Sequence, residues 1–221
     1  MTNDGATPAP MIRHSFGFWP SGLVVHTMIT LTTVTGDGIL PFIPDAARLR
    51  ISVFREFPYL YDGSLEYEEK YLRTYSESAG SVFVVARDGE RVVGVSTGMP
   101  LAEETEEVQR PFLTAGMAVE EVFYFGESVL EPEYRGQGIG VGFMQAREDH
   151  ARSWPGIKYA AFCAVERAAD HPQRPGDFVP LDEFWKRRGF AKTELRTEFS
   201  WKETGEGEES PKVMAFWMKG L

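Results

Sequence analysis

The chain has 221 residues, 43% of them hydrophobic and 13% aromatic, enough for one large packed domain. Its net charge of −10 argues against a nucleic-acid binder, which needs a basic face, and its single cysteine, Cys163, excludes an intrachain disulfide and a Cys-based zinc site. Four scattered histidines (His14, His26, His150, His171) show no metal-ligand spacing, so no metal is expected.

Residues Thr2 to Pro10 lack a basic stretch followed by an apolar one, so no signal peptide is expected, and 1–20 read as a flexible lead to a single domain over 21–221. Val24 to Val34 mixes apolar residues with threonines and predicts a first strand. This run is too short and too polar to span a bilayer, so no membrane partner is expected, and the single cysteine fits a cytoplasmic setting. Asp45 is placed to cap a helix carrying Ala46, Leu49, Ile51, Val53 and Phe54. An aromatic loop follows, Phe57-Pro58-Tyr59-Leu60-Tyr61-Asp62-Gly63, and Ser64 is a good cap for a second helix reaching about Ser78.

Ser81 to Arg87 and Arg91 to Gly98 predict two strands joined by a hairpin turn at Asp88-Gly89-Glu90. Pro100 to Gly116 is acidic and irregular, a helix or a mobile loop, and Val119 to Leu130 predicts a fourth strand. Next comes the most telling run, Leu130-Glu131-Pro132-Glu133-Tyr134-Arg135-Gly136-Gln137-Gly138-Ile139-Gly140. Glycines at alternate positions leave the backbone bare just where a helix begins. Unpaired N–H groups and the helix dipole then converge on one spot, which suits a phosphate or pyrophosphate. No Lys-Ser or Lys-Thr follows, as a P-loop requires, and the spacing Gly136-x-Gly138-x-Gly140 fits a dinucleotide fingerprint poorly. The helix continues to about Arg152. Tyr159 to Val165 reads as a buried strand, Pro180 to Arg188 as a helix closed by Gly189, and Glu194 to Lys202 with Lys212 to Lys219 as a final antiparallel pair.

Arg135-Gly136-Gln137-Gly138-Ile139-Gly140 resembles the Arg/Gln-x-x-Gly-x-Gly/Ala signature of the GNAT superfamily of acyl-CoA-dependent N-acyltransferases. Leu130-x-Pro132-x-Tyr134 is similar to its lead-in, and Phe184-Trp185-Lys186-Arg187-Arg188-Gly189-Phe190 to its late Phe-Tyr-x-x-x-Gly-Phe segment. The likeness covers residues 80 to 190 well, and the N-terminal third only by element order. It implies an α/β fold with a mixed, mostly antiparallel central sheet flanked by helices and splayed between the fourth and fifth strands. It also implies acetyl-CoA as cosubstrate, direct transfer to a primary amine in a ternary complex, and a homodimer, a frequent state in the family.

The resemblance carries further roles over to this chain. Arg135, Gly136, Gln137, Gly138, Ile139 and Gly140 would bind the pyrophosphate, and backbone at Val129, Leu130 and Glu131 the pantetheine arm. The Leu130 amide would face the thioester carbonyl and stabilise its oxyanion. Glu127 matches a frequently acidic position and is the candidate base, unless it pairs with a basic neighbour or holds the substrate cation. Tyr124, on the same strand, is a further candidate at the cleft. Trp185 stands where the family's tyrosine protonates the leaving thiolate. Indole is no acid, so Tyr159, Cys163 or solvent must serve, or the acid is dispensable, and Trp185 would pack on the cofactor arm. Phe57, Tyr59, Tyr61 and Asp62 fall where the acceptor is covered, and either hold a cationic or aromatic amine or form a hydrophobic plug under a loop. A small-molecule acceptor is expected. A protein acceptor and a non-catalytic acyl-CoA-sensing module are the alternatives.

Overall fold

The computed structural model describes residues 29–221. The predicted lead at 1–20 and the first part of the predicted opening strand, 24–28, lie outside the described residues. Strand β1 (Ile29–Val34) is followed by helices α1 (Ile43–Phe54) and α2 (Leu65–Glu77), strands β2 (Val82–Asp88) and β3 (Arg91–Pro100), and helix α3 (Glu106–Thr114). Then come β4 (Val122–Leu130), α4 (Ile139–Ser153), β5 (Tyr159–Val165), the short α5 (Asp182–Lys186), β6 (Ala191–Lys202) and β7 (Glu209–Gly220). Among the described residues the strands form one seven-stranded sheet in the order β1-β2-β3-β4-β5-β7-β6. Neighbours are antiparallel except β4 and β5. This is the α/β arrangement expected from the sequence.

Local chemistry explains most boundaries. Ser64 caps α2 by accepting the Tyr67 N–H at 3.4 Å. Gly89 supplies the positive φ of the β2–β3 hairpin. Asp45 does not cap α1. The helix starts at Ile43 with Pro44 in its first turn, where a missing N–H costs nothing, and Asp45 pairs instead with Arg48. The acidic stretch after β3 folds into a 3-10 turn and α3, with Val108 and Phe112 buried against β6 and β7. Strand β4 starts later than predicted, because Val119–Glu121 is a 3-10 turn.

Two features of β4 shape the centre of the molecule. First, it pairs with β5 over Val122, Phe123 and Tyr124 only, then parts from it. Second, its register against β3 slips: Ser96 faces Ser128, yet Gly98 faces Phe125. Gly126 and Glu127 together therefore oppose the single residue Thr97, which is a β-bulge. Phe123 and Phe125 pack in the core under α4, whereas Val129 joins the core under α1 and α2. The bulge thus absorbs one residue of the alternation and places Glu127 on the α1 side and Ser128 on the α4 side. Gly126 is required there, since a Cβ would lie 2.2 Å from the Tyr75 hydroxyl and 2.6 Å from Thr97 Oγ1. Among the described residues no helix is long and apolar enough to cross a membrane.

Candidate active site

The turn after β4 leaves a helix N-terminus with bare backbone, a geometry that suits an anion. Gly136 and Gly138 have φ of 77° and 86°, and Gly138 caps α4 in the left-handed region. The backbone N–H groups of Gly136, Gly138, Ile139 and Gly140 donate to nothing among the described residues, so they and the N-terminus of α4 are left for a ligand. Arg135 holds the turn: Nε donates to Leu130 O at 3.2 Å and Nη1 to Glu56 at 3.0 Å. Gln137 braces it from the other end, donating to Glu133 O at 2.9 Å.

The parting of β4 and β5 opens a cavity of about 740 Å³ on the α4 side, lined by Phe125, Ser128, Arg147, Phe162, Trp185 and Trp217 among others. A second cavity, of about 480 Å³, lies on the α2–α3 side, lined by Arg50, Tyr61, Tyr71, Glu104, Tyr124 and Trp201 among others. Phe54, Tyr59, Gly126, Glu127 and Cys163 line both, so the cavities meet at the bulge. Glu131 N–H donates to Val93 O at 3.0 Å. Antiparallel alternation then turns the N–H groups of Glu131 and Val129 toward β3 and those of Leu130 and Ser128 toward the split. Of the three residues assigned to the pantetheine arm, only Leu130 has a free-facing amide. The Glu131 carboxylate is spent on Arg48 at 3.2 Å and Arg91 at 2.6 Å.

At the junction stands Glu127, 7% exposed. Oε2 lies 2.6 Å from Arg50 Nη1, and Arg50 Nε donates to the buried Glu68. Oε1 is buried with no hydrogen-bond partner. Burial raises the Glu127 pKa and the charge of Glu68 adds to this, while Arg50 pulls it down. The result is a carboxylate with Oε2 anchored on Arg50 and Oε1 unanchored, its pKa raised by burial and held back by Arg50 and by the nearby Thr97 hydroxyl.

The profile of the Acetyltransferase (GNAT) family matches residues 48–175, more than half of the chain, and spans the bulge, the split and the turn. The chain belongs to the GNAT acetyltransferase family. Solved structures share the fold at low identity. A ribosomal-protein-alanine N-acetyltransferase from Brucella melitensis is 14% identical with a TM-score of 0.56, over 86% of this chain and 99% of that one. NAA60 of Arabidopsis thaliana in complex with acetyl-CoA is 14% identical with a TM-score of 0.55, over 87% and 98%. An acetyltransferase from Thermus thermophilus is 16% identical with a TM-score of 0.51, over 87% and 97%. No curated protein matches.

Within this GNAT domain the predicted acceptor residues divide. Tyr59 lines both cavities and Tyr61 the smaller one. Phe57 lines only the larger cavity, edge-on to Phe178 at 4.7 Å, and Asp62 lines neither, because it pairs with Lys202 at 3.1 Å. Sequence reasoning missed Glu104 and Glu107, from the acidic stretch it left as helix or loop, and the Tyr67–Tyr71 stripe of α2. The candidate acids fare as follows. Tyr159 is exposed at the start of β5, away from both cavities, and Tyr124 shares a contact of 3.0 Å with Cys163 Sγ. Burial raises the Tyr124 pKa well above its usual value and pushes the Cys163 thiol up to about 12, so neither is a ready acid or nucleophile at neutral pH. Trp185 packs between Phe162 and Trp217, each 5.0 Å away, and lines the larger cavity. No group of three or more His, Cys, Asp or Glu side chains among the described residues is placed to hold a metal ion.

Proposed function

We propose that this chain moves the acetyl group of acetyl-CoA to a primary amine of a small molecule, by direct attack in a ternary complex. The observation that carries the reading is the partnerless Oε1 of Glu127 at the meeting point of two cavities. The bare amides of the glycine turn seat the pyrophosphate, and the larger cavity takes the arm with its thioester. The N–H groups of Leu130 and Ser128 face the split, where they can bind the carbonyl oxygen as it gains charge. Glu127 takes the proton of the attacking amine.

The smaller cavity is of a size that encloses a compact ligand. Its acids Glu104, Glu107, Glu127 and Glu198 face one cation, Arg50, amid tyrosines, which suits a cationic amine. Trp185 in place of the family's tyrosine supports one other reading, an acyl-CoA sensor without turnover. Two measurements decide between them. Acetyl-CoA and CoA, but not ATP, should raise the unfolding midpoint, through a stabilisation of roughly 2.7 kcal/mol at a hundredfold excess over Kd. Thiol release with an amine panel should then occur, and fall by about 10²–10⁴ in Glu127→Gln. Binding without thiol release for any amine leaves the sensor. No shift with either CoA ligand refutes the cofactor assignment.

A further inference from the structure

Arg147 is buried in α4, 2% exposed, facing the larger cavity. Its Nε donates to Phe143 O at 3.3 Å, and Nη1 to Thr97 O at 3.1 Å and Glu127 O at 3.2 Å. Nη2 donates to Ser128 Oγ at 2.9 Å and to Met144 Sδ at 3.4 Å, and the guanidinium lies 4.3 Å from the centre of the Phe125 ring. Every hydrogen bond is satisfied, yet no acceptor carries a charge. Glu127 and Glu148 act on it through space without touching it, and burying a cation with no carboxylate in contact is costly. Consistent with that penalty, burial lowers the Arg147 pKa to about 9. Pinning the two carbonyls of the bulge needs donors but not a full charge, so the charge itself calls for a partner.

Ser128 supplies the second observation. It is exposed, lines the same cavity, and receives a hydrogen bond from Arg147. Its oxygen is therefore an acceptor toward Arg147, and its own O–H donates to nothing among the described residues. A polarised hydroxyl and a guanidinium in contact with no carboxylate face the space that the proposed function gives to the thioester.

We infer that Ser128, held and polarised by Arg147, hydrogen-bonds the departing sulfur, and that CoA leaves as the thiolate rather than being protonated by a side-chain acid. This rests on the acetyl-transfer reading above. The amine nitrogen forms a bond to the acetyl carbon while Glu127 Oε1 takes the amine proton. The carbonyl electron pair moves to oxygen and returns, and the C–S bond breaks with its pair kept on sulfur. Ser128 keeps its proton, since an alkoxide is far more basic than a thiolate. One negative charge therefore passes from Glu127, beside Arg50, to sulfur, beside Arg147. Ser128 is the catalytic residue and Arg147 the positioning one.

The test is to titrate the thiol of CoA bound to the full chain, following thiolate absorbance. In the wild type the bound thiol should ionise at least tenfold more readily than in free CoA. Ser128→Ala should lose part of that shift, Arg147→Gln most of it, and Arg147→Lys should retain it. In Ser128→Ala, kcat should fall with little change in the KM for acetyl-CoA. A bound thiol that ionises no more readily than the free one overturns the inference, as does a shift unchanged in Ser128→Ala. Should Arg147→Gln fail to fold, Ser128→Ala and Arg147→Lys still decide. Failure of the wild type to bind CoA would instead sink the acetyl-transfer reading.

Discussion

Arg50 and Arg147 lie on opposite faces of one bulge and are kept in opposite ways. Arg50 sits between the carboxylates of Glu68 and Glu127 and also lies 4.6 Å from the centre of the Tyr71 ring. Arg147 contacts carbonyls, a hydroxyl, a thioether and the face of the Phe125 ring, and no carboxylate. The face with paired charge has acids to spare and suits an incoming cation. The face with unpaired positive charge suits a group that becomes an anion. The contrast teaches that the two sides of this sheet are prepared for charges of opposite sign before any ligand arrives.

The largest effect should come from breaking the paired side. Arg50→Met leaves two buried carboxylates without their cation and should cost about 3–5 kcal/mol, read from chemical denaturation. A change under about 1 kcal/mol would mean that the triad is not a structural unit. Next in size is the glycine turn. Gly138→Val forces a β-branched residue to φ near 86° and should lose about 1–2 kcal/mol together with most CoA affinity, leaving the acceptor cavity intact. Retained CoA binding by calorimetry would detach the turn from the cofactor.

A smaller effect sharpens the acceptor side. Burial pushes the Glu104 carboxyl up to about 7, with Glu127 adding to the rise. Its folded pKa is raised, so the charge that attracts a cation is present above about 7 and lost as pH falls through it. The KM for a cationic amine should therefore climb severalfold from pH 8 to pH 6 in the wild type, and less in Glu104→Gln. An identical pH profile in the variant would remove Glu104 from recognition. The smallest effect is expected at Cys163. With its thiol pushed up to about 12, it should resist alkylation in the folded protein at pH 7, and Cys163→Ala should keep kcat within about threefold.

How much of this was legible in the sequence follows from where each feature is encoded. The glycine turn, the hairpin at Gly89 and the Ser64 cap are local, because backbone demands select residue types in place. Glu127 is identified through the family likeness, but the cation that anchors its Oε2 is Arg50 on the distant helix α1, which no local pattern reports. Phe57 and Asp62 show the reverse: a loop's side-chain directions depend on what covers it, and β6 supplies Lys202 to turn Asp62 away. The bulge left one trace, Gly126 within an otherwise strand-like run, the sign of a close approach or an irregularity. Arg147 left none. An arginine on an amphipathic helix reads as solvent-facing until the two strands beneath it, β3 and β4, each offer a carbonyl at the bulge.

Between the pairs Gly98–Phe125 and Ser96–Ser128, β3 takes two steps and β4 takes three. The surplus is a contour length of about 3.4 Å that has no room within the ladder and must bow out of line. The last pairing of β4 with β5, Tyr124 with Ala161, lies just before that arc. The aperture between the strands is in this sense stored as length. Removing Gly126 would leave each neighbouring side chain on its own face while shortening the arc to its chord, closing the passage between the two chambers without altering any other group that lines them.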